Sequence, residues 1–176
     1  LTPVDVIALQ ELIFRSVGKY DGYIWEFTET SNIGFRVDST SPTFRVGDDN
    51  SDRQYRAFIT FNTSPLPDTA VIFSGRLQLQ IAEWKGYSYP LGPMRADIRT
   101  RFFGKSVWLL PEDFQAAPSR ANVSLLYTSE PVVNSSLNSA SFPYINLAGT
   151  TQFRIRQRLD DNDNMSADYI SFYSGD

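Results

Sequence analysis

Residues 159–176 read LDDNDNMSADYISFYSGD, and their first half crowds oxygen donors together: Asp160, Asp161, Asn162 and Asp163, then Asn164, with Asp168 close behind. Hard oxygens at this density suit calcium, which gathers six to eight of them at about 2.3–2.6 Å. Asp160, Asp161, Asn162, Asp163 and Asp168 are therefore the expected ligands of a calcium ion. The competing reading is an Asx-rich hairpin turn whose side chains bond their own backbone. Asp160, Asn162 and Asn164 have the spacing that opens an EF-hand loop, but Met165 stands where glycine is required and no Glu occupies the twelfth position, so this is not an EF-hand. A second oxygen-rich stretch, VGDDNSDRQYR, holds Asp48, Asp49, Asn50 and Asp52 beside Arg53 and Arg56. It either joins the first stretch around one ion, forms a site of its own, or makes a turn with surface ion pairs worth under about 1 kcal/mol each.

Sugar recognition needs flat rings on which C–H faces can dock. Trp84, Tyr87 and Tyr89, crowded in EWKGYSYPLGPM, are the expected platform, whereas Trp25 and Trp108 read as packing aromatics. Catalysis is poorly supplied. The chain has no His and no Cys, which removes Ser-His-Asp and Cys-His mechanisms, disulfides and ordinary zinc chemistry. A glycosidase needs only two carboxylates, but nothing in the spacing of Glu26, Glu29, Glu83, Glu112 and Asp97 brings a pair together. A non-enzymatic protein is expected.

Sixteen Lys and Arg against twenty Asp and Glu give a net charge of −4, the wrong sign for neutralising phosphates, so nucleic acid is not an expected partner. No run of 18 apolar residues occurs, and membrane insertion is not expected. The bias toward Ser, Thr, Asn, Phe and Tyr is that of a β-rich extracellular or cell-surface domain. Four Asn-X-Ser/Thr sequons, at Asn62, Asn122, Asn134 and Asn164, allow glycosylation.

These side chains must be positioned by strands. RQYRAFITF puts Tyr55, Ala57, Ile59 and Phe61 on one face, RLQLQIAEW does the same with Leu77, Leu79 and Ile81, and QFRIRQRL with Phe153, Ile155 and Leu159. YIWEFTE, PTFRVGD, TAVIFSG, RADIRTRFF, ANVSLLY, FPYINL and ADYISFY are further strand candidates between turn-rich pieces. LPEDFQAAPSRA, with Pro111 early and Glu112 and Asp113 in the first turn, predicts one short helical connection. About ten short strands mean an all-β sandwich or barrel. The start of the chain is ambiguous: TPVD can open a helix, while PVDVIAL and ELIFRSVG read as two β segments.

Several phrases, SVGKYDGYIWEFTETSNIG, FRVGDDNSDRQYRAFITFNTSPLPDTAVI, DFQAA and FPYINLAGTTQFRIRQRLDDNDNMSADYISFYSGD, together resemble the secreted β-sandwich modules of the disaggregatase-related (DNRLRE-like) type and span roughly residues 12–176. The resemblance implies a two-sheet antiparallel jelly-roll-like sandwich, no catalysis, and either a carbohydrate ligand or a structural duty. It also implies one more apolar strand after FYSGD, which this sequence lacks. An open sheet edge beside residues 169–176 is therefore expected, to be filled by a segment from elsewhere or tolerated as family variation. Residues 1–11 form an N-terminal extension and candidate donor strand, and 12–176 the sandwich. In the donor, either Val4, Val6 and Ala8, or Asp5, Ile7 and Leu9, would fill the pockets, so Val4, Val6, Ile7, Ala8 and Leu9 are the expected interface. The segment folds back on its own sheet or enters a neighbour's. A head-to-tail contact of the second kind builds a homo-oligomeric filament. The leading expectation is such a filament subunit with calcium-stabilised loops. The alternative is a carbohydrate-binding accessory module with polysaccharide as its partner.

Overall fold

The computed structural model describes residues 9–87, 91–129 and 131–175. Ten strands run through them: β1 (Gly22–Glu26), β2 (Gly34–Asp38), β3 (Thr43–Asp48), β4 (Gln54–Asn62), β5 (Arg76–Lys85), β6 (Met94–Thr100), β7 (Arg120–Leu126), β8 (Val132–Ser136), β9 (Thr150–Arg156) and β10 (Tyr169–Tyr173). Every pairing among them is antiparallel. One layer has the order β2-β1-β4-β9-β6-β7 and the other β3-β10-β5-β8. The layers share a corner where β3 and β4 pair for two residues, Gly47 with Tyr55 and Asp48 with Gln54, before diverging. At the opposite side β7 and β8 face each other without a ladder, so the jelly-roll-like sandwich stops one pairing short of a closed barrel.

Alternation explains the main core. Tyr55, Ala57 and Ile59 of β4 and Phe153 and Ile155 of β9 turn inward and bury against Phe44 and Val46 of β3, Leu77 and Leu79 of β5, and Ile170 and Phe172 of β10 in the facing layer. On the outer face of β1 and β4 two large apolar residues are also buried, because that face is covered there. Ile24 and Phe58 pack with Phe103, Leu109 and Phe114 of the β6–β7 connection in a second, smaller core. That connection is fastened by charge. Arg154 donates to Asp97 Oδ2 (2.8 Å) and to the Phe114 and Ala116 carbonyls (2.9 and 2.8 Å). Burial alone would raise the Asp97 carboxyl, but Arg154, the Asn122 N–H and Arg156 outweigh it and hold the group below the usual carboxylate range.

Several expectations are corrected. TAVIFSG forms no strand: Val71 and Phe73 are exposed in an irregular stretch. FPYINL falls partly in a 3-10 helix, Ser139–Tyr144, with Pro143 inside it. The expected short helical connection is present as the 3-10 turn Pro111–Phe114, and a third 3-10 turn lies at Gly18–Tyr20. ELIFRSVG makes only a single bridge, Ser16 to Phe61, and Leu159 is exposed. β10 is an interior strand with β3 on one side and β5 on the other, so no open edge lies beside it. The Ser174 N–H donates to the Pro42 carbonyl (2.8 Å), which ties the following residues down. Among the described residues no helix is long and apolar enough to cross a membrane.

Candidate functional site

The two oxygen-rich stretches meet. The β3–β4 turn and the loop before β10 are stitched at Asp48 and Asp168, whose main chains exchange N–H···O bonds of 3.1 and 3.3 Å. The Asp168 N–H also lies 3.0 Å from Asp48 Oδ1. The Asp168 carboxylate accepts the Tyr87 N–H on Oδ1 and the Asn162 and Asn164 amides on Oδ2 (2.8 and 3.0 Å). Burial works against its charge, but these three donors prevail and hold it below the usual range. Asp48 is in the opposite condition: burial, joined by the field of Asp168, Asp52 and Asp161, pushes it up to about 7 against the one N–H it accepts. Asp52 receives the Met165 N–H on both oxygens (2.9 and 3.1 Å), which ties the β3–β4 turn to the loop before β10; Asp52 in the first and Asp163 and Met165 in the second have left-handed backbone.

Of the expected metal ligands, Asp161, Asn162 and Asp168 gather with Asp48 and Asp52, while Asp160 and Asp163 face solvent. Part of the turn reading also appears, since Asp161 Oδ1 accepts the Asp163 N–H and Asn164 Oδ1 the Ser166 N–H. Asp49 is spent on Arg53, Nη2 to Oδ2 at 2.6 Å. No sequence rule singles out Asp48, because its partner is brought to it by long-range strand pairing.

The aromatic loop adjoins this knot. Trp84 (55% exposed) lies near the end of β5 opposite Ile170, and Tyr87 (65% exposed) follows it. Gly86 between them has φ +67° and sits where a Cβ would come 2.0 Å from Asp168 Oδ1, so the turn presenting the rings requires glycine. Tyr89 lies outside the described residues. Trp25 packs on the core as expected, whereas Trp108 is half out in solvent, edge-on to Tyr20 at 4.8 Å.

The N-terminal arm and the open seam form a third feature. Leu9 and Ile13 are 78% and 90% exposed, and Leu12 is exposed as well. The arm passes Arg76, whose guanidinium lies 3.8 Å from Glu11 Oε1. Arg76 is the register partner of Ser136 on β8, so the arm runs one strand away from the seam. Val4, Val6, Ile7 and Ala8 lie outside the described residues. At the seam an open groove of about 490 Å³ is lined by Asn122 to Leu125 of β7, Asn134 to Ser136 of β8, and Asn138. Ser124 Oγ lies 2.6 Å from Ser135 Oγ and 2.8 Å from the Ser136 carbonyl, and the Ser135 hydroxyl donates to the Leu125 carbonyl. Hydroxyls thus satisfy carbonyls that a strand would otherwise pair. β8, VVNSS, carries no charge and no proline to blunt its free edge. β2, which pairs only with β1, is instead flanked by the turn at Pro111–Phe114 and donates its Gly34 N–H to Gln115 Oε1.

All four sequon asparagines, Asn62, Asn122, Asn134 and Asn164, are exposed, and Asn122 and Asn134 line the seam groove from opposite sides. No protein-family model matches the chain, and no curated protein matches it.

Proposed function

We propose that the chain is a non-enzymatic extracellular structural protein that self-assembles into a filament, the N-terminal segment of one copy adding as a strand at the β7–β8 seam of the next. The observation that carries this reading is the pairing of a seam held by Ser124, Ser135 and Asn138 rather than by a strand ladder with an arm in which Leu9, Leu12 and Ile13 are exposed. Residues 1–8, LTPVDVIA, precede that arm and supply the β-branched, alternating content a donor strand needs. Main-chain bonds to β7 or β8 provide affinity, at about 1 kcal/mol net each, and alternate side chains provide fit. The donor displaces the serine bridges, which hold the seam until it arrives. A neighbour is favoured over the same subunit because Leu9 and Ile13, which lead directly out of the donor, stand clear of the body. The contact is heterologous and generates an open chain. The exposed sequons and the Ser/Thr/Asn-rich composition favour an exported setting.

Deleting residues 1–13 tests this, with size by light scattering and shape by electron microscopy. Polymers from the intact chain and monomers from the truncated one are expected. Monomers from both refute the proposal.

A second reading, a carbohydrate-binding module of the kind the sequence phrases resemble, is favoured by Trp84 and Tyr87, two exposed rings on one loop. Retardation of the protein in polysaccharide gels that survives deletion of residues 1–13 but not Trp84→Ala supports it.

A further inference from the structure

Asp48 and Asp168 are 0% and 2% exposed, lie side by side, and form no ion pair among the described residues. Asp97, buried as deeply, is held by Arg154 and Arg156. Adjacent buried carboxylates without a cation are an expensive arrangement, and proteins normally resolve it with a paired base or a metal. Asp168 has its N–H donors, but Asp48 has one oxygen that nothing satisfies.

A separate observation points to an ion. Asp48 Oδ2 and Asn162 Oδ1 are both enclosed by protein and have no hydrogen-bond partner. Asp48 takes the main-chain N–H of Asp168 on its other oxygen, and Asn162 gives its amide to the Asp168 carboxylate. The two orphaned acceptors therefore flank the same residue, from two loops far apart in sequence. Asp52 and Asp161 add their field to the same spot. A cluster whose unsatisfied atoms are oxygen acceptors, set in negative charge, selects a hard cation.

We propose that a calcium ion binds between the β3–β4 turn and the loop before β10, with Asp48 Oδ2 and Asn162 Oδ1 as ligands. The ion clamps the two loops, and through Gly86 and Tyr87 it steadies the aromatic turn. The two proposed ligands make a mixed set, one carboxylate oxygen and one amide oxygen. Calcium accepts such irregular shells, whereas magnesium demands near-octahedral geometry. This site lies within one subunit and does not depend on strand donation.

The test is thermal unfolding of the intact chain at neutral pH in EDTA, in excess CaCl2 and in excess MgCl2, with calorimetric titration of CaCl2 as a second measurement. At about 100 times its Kd the ion is expected to raise Tm by roughly 5–10 °C in a chain of this size. Asp48→Asn keeps the shape but removes the ligand charge. It is expected to lose most of the rise and the titration heat, while the exposed control Asp68→Asn keeps both. Should Asp48→Asn fail to fold, Asn162→Ala takes its place with the same expectation. No calcium-dependent rise in the intact chain, an equal rise in magnesium, or an undiminished rise in the variants overturns the proposal.

Discussion

Asp113 offers the sharpest quantitative prediction, because its carboxyl is buried and forms no ion pair among the described residues. The side chain is 1% exposed; Oδ2 accepts the Leu110 N–H at 2.9 Å, and Oδ1 is enclosed without a partner. Gly104 comes so close that a Cβ there would lie 1.9 Å from Oδ1, which leaves no room for a solvating water on that side. Burial, aided by the neighbouring Glu112, pushes the group from 3.8 up to about 6 despite the Leu110 N–H. The folded state thus binds this proton more tightly than the unfolded one. Below about pH 4 both states are protonated and the contribution is fully present. As pH rises from 3.8 toward 6 the unfolded state ionises first and stability falls, and above about pH 7 the loss is complete. A rise from 3.8 to about 6 corresponds to about 3 kcal/mol. Urea unfolding of the wild type and Asp113→Asn from pH 3.5 to 8 measures it. Other groups, Asp48 among them, contribute equally to both proteins and cancel in the difference. The stability of Asp113→Asn relative to wild type should climb by about 3 kcal/mol across the range, most of it between pH 4 and 6.5. A difference that stays flat, or falls with pH, refutes the argument that this carboxyl is held neutral by burial.

Removing Asp97 strands two guanidinium groups against the sheet, so Asp97→Ala should destabilise by about 3–5 kcal/mol in denaturant unfolding. Phe58→Ala opens the smaller core beneath the β6–β7 connection and should cost about 3–5 kcal/mol, with increased proteolysis around residues 103–116 as a local readout. Gly86→Ala forces a Cβ toward Asp168 at positive φ; a loss of about 1–3 kcal/mol is expected, and unchanged stability would contradict the close approach. Ser135→Ala removes the hydroxyl that caps the Leu125 carbonyl, costing the isolated subunit about 1–3 kcal/mol but the assembled one less, because a donor strand supplies the missing bond. Melting curves of monomeric and polymeric fractions compare the two.

Much of the sandwich was legible, and its limits were physical. β4, β5 and β9 alternate over seven or more residues, so their inward faces could be named. β2 and β8 escaped notice because GFRVD and VVNSS are short and carry few large apolar residues; their neighbours, not their composition, make them strands. TAVIFSG shows the converse. It has strand propensity, yet residues 69–75 form no strand, and propensity alone makes no ladder. That β10 is an interior strand and the open seam lies at β7 and β8 depends on long-range pairing, which a local pattern does not encode. The acidic knot was visible as a run of side chains, yet its most deeply buried member, Asp48, joins it across the chain from the β3 terminus. The aromatic loop was visible because three rings in six positions need no fold to be noticed.

Covalent trapping is the most direct test of strand donation, since the chain contains no cysteine and any disulfide must come from introduced residues. Val6→Cys and Ile7→Cys cover both registers of the donor, and each is combined with Leu125→Cys on β7 or Val132→Cys on β8. After mild oxidation of assembled protein, one register should yield a reducible ladder of dimers, trimers and longer species on a non-reducing gel. A monomer that changes mobility on reduction would place the segment in its own subunit, and no crosslink from any pair would remove the seam as the acceptor; either result contradicts the account.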